Sequence, residues 1–181
     1  MERYASGDET AFAELYDALA PRLLGFVRRQ IHDDDLAEDL VQQTFLHMHQ
    51  ARGQFIRGSE VVPWAFTIAR HLVCDWLRRR RTERRASDRD EDGADERTSA
   101  EPSADAVLHV RQVADRLEQE ISRLPESQRL AFELLKQDGL SLGEAAAVLG
   151  TTVTAVKLRA HRAYVALRSV LGDLEGNGAR K

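Results

Sequence analysis

The feature that most limits the fold of this chain is the stretch SLGEAAAVLGTTVTAVKLRAHRAYVALR near its C-terminus. Ser141 and Glu144 have the S-x-x-E spacing of a capping box, in which each side chain accepts a hydrogen bond from the other residue's backbone. Gly150 follows where the chain must reverse, because glycine tolerates the left-handed conformation that ends a helix. Thr151 or Thr152 can cap the next helix. The stretch therefore predicts a helix-turn-helix.

The second helix of this stretch has two contrasting faces at about 100° per residue. The predicted inward face consists of Val153, Val156, Ala160, Ala163, Tyr164 and Leu167. The opposite face has small, polar or basic side chains, and no acidic residue lies between residues 151 and 168. This pattern predicts a DNA-recognition helix, although an ordinary amphipathic surface helix with a basic face has the same pattern. The candidates for base edges are Thr154, Ala155, Leu158 and Arg162, and those for phosphates are Lys157 and Arg159.

The composition favours an all-helical, intracellular protein. Aromatic residues make up 6% of the 181 residues and charged residues 31%, which disfavours a large β-rich core. Cys74 is the single cysteine, so no internal disulfide is possible. No apolar run approaches the roughly 20 residues of a membrane span. The N-terminus lacks the apolar region of a signal peptide. We expect a cytoplasmic location and no membrane insertion.

The N-terminal half contains further helical patterns. A first helix capped by Asp8 is expected to end at Pro21, which would open a second helix. A third helix, from Asp35 to about Ala51, follows a cluster of three aspartates. Its predicted inward stripe is Leu36, Leu40, Val41, Phe45 and Met48. Its long polar face suits either a solvated surface or a docking surface, and comprises Glu38, Asp39, Gln42, Gln43, His47 and Gln50.

A loop over residues 52–62 precedes a fourth helix that Pro63 is expected to open and that continues to about Arg81. A polar stripe on this helix contains His71, Asp75, Arg78 and Arg79, with Arg70 to one side. Residues 78–85 contain six arginines and one glutamate. A helix C-terminus favours cations, but six exceed what capping requires. We therefore predict that this end of the helix binds phosphates.

Charge changes abruptly after the fourth helix. Residues 86–105 contain eight acidic residues and two arginines, with too few apolar residues for a core, and so predict a disordered acidic linker. The linker would join two small helical domains, residues 1–85 and 106–172. Residues 173–181 are expected to form a disordered tail. The predicted fold class is all-α.

The order of these features resembles a known family. The run FAELYDALAPRLLGFVRRQIHDDDLAEDLVQQTFLHMHQARGQF, the run PWAFTIARHLVCDWLRRRR and the run LPESQRLAFELLKQDGLSLGEAAAVLGTTVTAVKLRAHRAYVALR resemble the two conserved domains of bacterial RNA polymerase sigma factors of the extracytoplasmic-function group. The chain departs from the common pattern at Gln43, His49, His71 and Leu158. The resemblance implies a non-enzymatic initiation factor that directs core RNA polymerase to promoters, with no cofactor or small-molecule substrate.

The resemblance also assigns roles to matching positions. The third helix would dock on the β′ clamp helices of the polymerase, through Asp39, Gln42, Gln43 and Phe45. The loop after it and the fourth helix would hold the melted −10 element, with an extruded base in the loop, through Arg70, His71, Asp75, Arg78 and Arg79. The second domain would sit on the β flap and bind the −35 element, through Thr152, Thr154, Ala155, Lys157, Leu158, Arg159 and Arg162. An anti-sigma factor would be a further partner.

Two other functions fit parts of the sequence. A helix-turn-helix regulator that binds duplex DNA without polymerase would have a similar C-terminal half, but a sensor domain requires a mostly apolar pocket rather than an arginine run. A metal enzyme would need more ligands than His71, Cys74 and Asp75, which share one helix face. The sequence has no glycine-rich phosphate loop and no nucleophile motif. We therefore predict no metal site and no catalytic site.

Overall fold

The computed structural model describes residues 1–86 and 116–178, with side chains described to residue 83 and from 116 to 168. Every regular element in these residues is helical, which confirms the predicted fold class. We name the first range the N-terminal domain and the second the C-terminal domain. The elements are α1 (Glu2–Ala5), α2 (Thr10–Ile31), α3 (Asp34–Gln50), a short 3₁₀ helix (Arg52–Gln54), α4 (Val61–Ala86), α5 (116–123), α6 (Glu126–Lys136), α7 (Leu142–Leu149) and α8 (Val153–Gly178).

Two helices extend beyond their predicted ends. α4 continues to Ala86, and α8 continues to Gly178, past the point where the tail was expected to begin. Once a helix has formed, each added residue gains a hydrogen bond at little further cost, so polar composition alone does not end it. Except for residue 86, the predicted acidic linker lies outside the described residues, as do residues 179–181.

α2 is one continuous helix through Pro21, so the predicted break is wrong. A proline in a helix interior removes a hydrogen bond and costs about 3 kcal/mol. Leu19, Leu23 and Phe26 are nevertheless almost fully buried on either side of it. Burial of one such side chain contributes about 1.5 to 3 kcal/mol, so the packing outweighs the cost of the proline.

α3 begins within the aspartate cluster that precedes the predicted third helix. The side chain of Asp33 accepts a hydrogen bond from the backbone N–H of Leu36 at 3.0 Å. Leu40, Val41 and Met48 are buried against α2 and α4, which confirms the inward stripe. The opposite side of α3 is therefore left facing solvent.

The helix-turn-helix forms as predicted. Ser141 Oγ accepts a hydrogen bond from the backbone N–H of Glu144 at 3.2 Å, and the Glu144 carboxylate accepts one from the backbone N–H of Ser141 at 2.7 Å. Gly150 has a φ of 59°, in the left-handed region. The cap of α8 is Thr152, whose hydroxyl oxygen accepts from the backbone N–H of Ala155 at 3.2 Å.

The capping box gives a first testable prediction. Replacing Ser141 with alanine removes the acceptor for the Glu144 N–H and should lower the free energy of unfolding by about 1 kcal/mol. Thermal denaturation followed by circular dichroism measures the change. Ser141→Thr retains a hydroxyl and serves as the control. An alanine variant as stable as the threonine variant would show that the cap contributes nothing to stability.

The two domains pack against each other. α7 contacts α4, and buried side chains of both domains form one continuous apolar cluster. Phe66 and Val73 of α4 belong to this cluster, as do Leu134, Leu140 and Val148 of the C-terminal domain. The described residues therefore have a closed arrangement in which each domain covers apolar surface of the other.

A polar cluster lies at the same interface; we call Arg22, Arg29, Gln30, Glu133 and Asp138 the interdomain cluster. Arg29 Nη2 donates to Asp138 Oδ1 at 2.6 Å, and Gln30 Nε2 donates to Glu133 Oε2 at 2.6 Å. Arg22 Nη2 donates to the backbone oxygen of Asp138 at 2.7 Å. The Glu133 residue is only 2% exposed. α2 and the C-terminal domain are therefore joined by buried, charged hydrogen bonds.

Burial raises the pKa of both carboxyl groups in the interdomain cluster. Loss of water around Glu133 is the largest cause of its raised pKa, which the bond from Gln30 and the charges of Arg29 and Arg129 partly oppose. The pKa of Asp138 is also raised by burial and is lowered in part by the bond from Arg29. Asp138 Oδ2 and Arg29 Nε are buried without a hydrogen-bond partner. The favourable contacts therefore do not fully offset the loss of hydration.

The closed arrangement should depend on pH. With the domains apart, Glu133 and Asp138 would be hydrated and have ordinary pKa values, so closure takes up protons. Closure should therefore be favoured as the pH falls through the raised pKa values towards the ordinary ones, at about 4, and weakened as the pH rises through the raised values. Small-angle X-ray scattering should show a smaller radius of gyration at the lower pH.

The matched control for this pH dependence is Glu133→Gln. The amide retains an oxygen that can accept from Gln30 but does not titrate, so its pH profile should be flatter. An identical profile in the two proteins would show that Glu133 does not link protonation to closure.

Candidate nucleic-acid interface

The polar face of α8 is open to solvent. Thr154, Leu158 and Arg162 are exposed, and Ala155 is half-buried. Thr152 and Lys157 are also exposed, whereas Arg159 is half-buried. Small side chains thus lie near the helix N-terminus, with basic side chains farther along. This is the shape and charge that a helix needs to enter a major groove and reach base edges.

The inward face of α8 is narrower than predicted. Val156, Ala163 and Leu167 are buried, but Val153 is 47% exposed and Tyr164 is 52% exposed. The prediction is wrong for these two residues because α8 packs in the C-terminal domain mainly on α6 and α7, which cover only one stripe of it.

The polar stripe of α4 is solvent-accessible at its C-terminal end. His71, Arg78 and Arg79 are exposed, and Asp75 is half-buried. Arg78 Nη2 donates to Asp75 Oδ1 at 3.0 Å, so part of its charge is already paired. The next arginine, Arg80, lies 5.0 Å from the centre of the Trp76 ring. Arg79 thus offers a cation beside a paired one, within a run of four consecutive arginines.

Arg70 differs from the other residues of this group. It is half-buried, and its Nε atom is fully buried without a hydrogen-bond partner. An unpaired polar atom of this kind costs free energy unless a partner is supplied. In the described arrangement, Arg70 is therefore less available to a ligand than its exposed neighbours on α4.

The polar face of α3 forms a third candidate surface. Asp39, Gln42, Gln43 and Leu46 line a shallow, open depression. Phe45 is not part of it: the residue is 4% exposed, and its ring lies 4.8 Å from that of Tyr16. This corrects the expectation that Phe45 contacts a partner directly, because an aromatic side chain on the inward stripe packs in the core. Phe45 instead supports the surface from within.

Sequence periodicity missed two parts of the site. Leu46 is 53% exposed in the middle of the α3 surface. A leucine on an otherwise polar helix face can indicate a docking surface, and this signal was present in the sequence. α1 was also missed, since its four residues are too few to show a helical period. Glu2 of α1 contacts the segment between α3 and α4, and Tyr4 of α1 contacts the last turn of α3.

The described residues contain no group of three or more histidine, cysteine, aspartate or glutamate side chains placed to hold a metal ion. His71, Cys74 and Asp75 thus share a helix face without forming such a group. Within the same residues, no helix is both long enough and apolar enough to cross a membrane.

Comparison with known proteins agrees with this geometry. Residues 15–83 match the model of Sigma-70 region 2, and residues 114–167 match that of Sigma-70, region 4. The chain is 39% identical over 180 residues to the RNA polymerase sigma factor CarQ of Myxococcus xanthus, covering 99% of this chain and 100% of that protein. The chain belongs to the sigma factors of the extracytoplasmic-function group.

A second relative belongs to the same group, and the chain is also similar to a solved sigma-factor structure. The ECF RNA polymerase sigma factor SigF of Caulobacter vibrioides is 32% identical, over 97% of this chain and 94% of that protein. The sigma factor RpoE of Bartonella quintana, solved in complex with the anti-sigma factor NepR, superposes with a TM-score of 0.72 at 27% identity, covering 90% of this chain and 97% of that one.

Membership of this family establishes the function in outline. The sigma factor directs core RNA polymerase to specific promoters and initiates transcription, and the alternative of a regulator that acts without polymerase is not favoured. Sigma factors are in general not catalytic themselves. The α4 and α8 surfaces lie in the segments that match regions 2 and 4.

Proposed function

We propose that the sigma factor divides promoter recognition between its two domains. α8 binds the duplex −35 element, with Thr154, Ala155, Leu158 and Arg162 at base edges. Its flanking residues Thr152, Lys157 and Arg159 bind phosphates. The observation that carries this proposal is the exposed face of α8, which has no acidic residue and belongs to the second helix of a fully formed helix-turn-helix.

The N-terminal domain would hold the melted −10 strand. His71, Arg78 and Arg79 lie exposed on α4, and the two arginines provide cations for its phosphates. Asp75 orients Arg78 through their hydrogen bond. Arg70 would join them when a ligand provides a partner for its buried Nε atom. The loop between α3 and α4 would receive an extruded base, and these contacts would offset its unstacking cost of a few kcal/mol.

The α3 surface would dock on the β′ clamp helices of the polymerase. Asp39, Gln42 and Gln43 provide hydrogen-bonding groups around the exposed Leu46. An apolar centre with a polar rim is the usual composition of a specific protein interface. The C-terminal domain would sit on the β flap. A factor that works on this enzyme acts where the enzyme is, in the cytoplasm.

Binding both promoter elements requires the two domains to separate. Elements roughly 25 base pairs apart are separated by about 85 Å of B-form DNA, whereas the domains here share one apolar cluster. The closed arrangement therefore represents a state that precedes promoter binding.

An anti-sigma factor would stabilise a state of this kind. The RpoE structure, whose partner is an anti-sigma factor, matches this chain over both domains at once. A partner that holds the domains together would keep α4 and α8 from reaching their elements simultaneously.

Run-off transcription with core RNA polymerase and a library of randomised promoters tests the proposal. Core enzyme with the sigma factor should select two short elements, and core enzyme alone should select none. Alanine at Arg162 should relax selection only at the upstream element. Alanine at Arg79 should lower the yield from duplex promoters without altering the upstream selection. Selection of a single element would contradict the division between domains.

A further inference from the structure

The N-terminal residues lie beside the loop that connects α3 to α4. Glu2 Oε1 accepts a hydrogen bond from the backbone N–H of Gly58 at 2.6 Å. Gly58 has a φ of 82°, a conformation that favours glycine, so the loop turns sharply at this residue. A carboxylate from outside the loop therefore binds its backbone at the turn.

A second contact joins α1 to the last turn of α3, which precedes this loop. The Tyr4 hydroxyl is hydrogen-bonded to Nδ1 of His49, in the last turn of α3. Tyr4 is 7% exposed, and its ring centre is 5.3 Å from that of Phe12. Arg52 Nη1 in turn donates to the backbone oxygen of His49 at 2.9 Å. Tyr4 thus fixes the end of α3 from which the loop departs.

α1 is itself held on α2. The Arg3 guanidinium lies 2.8 Å from Asp8 Oδ2 and 2.9 Å from Glu14 Oε2. The side chains of three consecutive residues of α1 therefore point in different directions. Glu2 points towards the loop, Arg3 towards α2 and Tyr4 into the core. We call the contacts of Glu2 and Tyr4 the N-terminal contact.

The loop that receives these contacts is open at its tip. Ile56 is 74% exposed, and Phe55 packs on Trp64 with ring centres 5.2 Å apart. Ordering such a loop when a ligand binds costs conformational entropy. A loop that is already ordered has lost that entropy beforehand, and so binds more tightly. The N-terminal contact supplies this order from outside the loop.

We propose that Glu2 and Tyr4 are positioning residues, which hold residues 55–60 in the shape that receives the extruded base of the melted strand. This inference rests on the proposed assignment of the loop to the −10 element. Neither residue touches the base. Glu2 acts through the backbone at Gly58, and Tyr4 acts through His49.

Holoenzyme assembled from core polymerase and the full chain provides the test. The probe is a fluorescent single-stranded oligonucleotide with the non-template −10 sequence selected from the promoter library, together with copies that have one abasic site at each position in turn. Affinity of the wild-type holoenzyme should fall most at one position, which identifies the captured base. Glu2→Ala should weaken binding of the intact oligonucleotide by about threefold to tenfold, as loss of one exposed hydrogen bond implies.

The abasic oligonucleotide distinguishes positioning from general support. Without the captured base, Glu2→Ala and wild type should bind equally, and Glu2→Gln should recover part of the loss because its amide oxygen can still accept from Gly58. Tyr4→Phe keeps the ring packing and should show a smaller loss with the same dependence. Glu9→Ala removes a similar exposed carboxylate at the start of α2 and should behave as wild type.

Two results would overturn the inference. In one, Glu2→Ala binds the intact oligonucleotide as tightly as wild type. In the other, its loss is the same with and without the captured base, which shows a structural role only. A wild-type holoenzyme that is insensitive to every abasic site would instead overturn the −10 assignment of the loop, and this inference with it.

Discussion

Replacing Arg29 with alanine is expected to separate the two domains. Arg29 donates to Asp138 at 2.6 Å and lies 4.0 Å from Glu133, and both carboxylates are almost fully buried. Removing one partner of a buried ion pair costs about 3 to 5 kcal/mol, because the remaining charge has neither water nor a counter-ion. Separation of the domains returns both carboxylates to water. The variant can therefore avoid most of the cost of the unpaired buried charges by opening, while each domain stays folded.

The expected result is a larger radius of gyration by small-angle scattering, with an unchanged helical circular dichroism spectrum. A shift of about 3 kcal/mol corresponds to more than a hundredfold change in the ratio of closed to open protein. Arg28→Ala is the matched control, since Arg28 is half-exposed and pairs with Asp34 and Glu38 of its own domain. Exposed pairs of this kind contribute about 1 kcal/mol or less.

A protein that remains equally compact with alanine at position 29 would show that the apolar contacts between α4 and α7 suffice for closure. A protein that loses helix content would show that Arg29 supports the fold of a domain rather than the contact between domains. Either result would remove the interdomain cluster from the explanation of the closed arrangement.

Local sequence patterns were sufficient to predict the helix-turn-helix. Ser141, Glu144 and Gly150 specify their own backbone conformations through bonds to residues three or four positions away, so the helix-turn-helix did not depend on the rest of the fold. Asp33 at the start of α3 likewise bonds to a residue three positions away, Leu36. In each case the stabilising hydrogen bond is local, because both of its partners lie within one helical turn of each other in the sequence.

The contacts between distant segments were not predictable in this way. Glu133 occupies a helix whose other residues gave no sign that a charged side chain would be buried, and its partner Gln30 is 103 residues away. The Glu2 contact with Gly58 likewise spans 56 residues. Pro21 shows the reverse case. The local preference of proline to break a helix is outweighed by packing of α2 that the sequence alone does not reveal.

Alanine substitutions at Arg162 and Lys157 should separate base recognition from phosphate binding on α8. Both side chains are exposed, but Arg162 belongs to the outward face with Leu158, and Lys157 flanks it. An arginine that bonds a base edge contributes about 1 to 3 kcal/mol of discrimination, so Arg162→Ala should weaken binding of the preferred −35 duplex by about tenfold to a hundredfold. Duplexes altered at the contacted base pair should lose little.

Lys157→Ala should weaken binding to every duplex by a similar factor and reduce the slope of log affinity against log salt by about one unit, because one phosphate contact is lost. Fluorescence anisotropy with holoenzyme, at several salt concentrations and with a set of single-base variants, measures both effects. Arg168→Ala, farther along α8, removes one exposed positive charge outside the proposed contact and controls for net charge. A loss at Lys157 that depends on the base sequence would reverse the assignment of these two residues, since phosphates are the same in every duplex and only base edges differ.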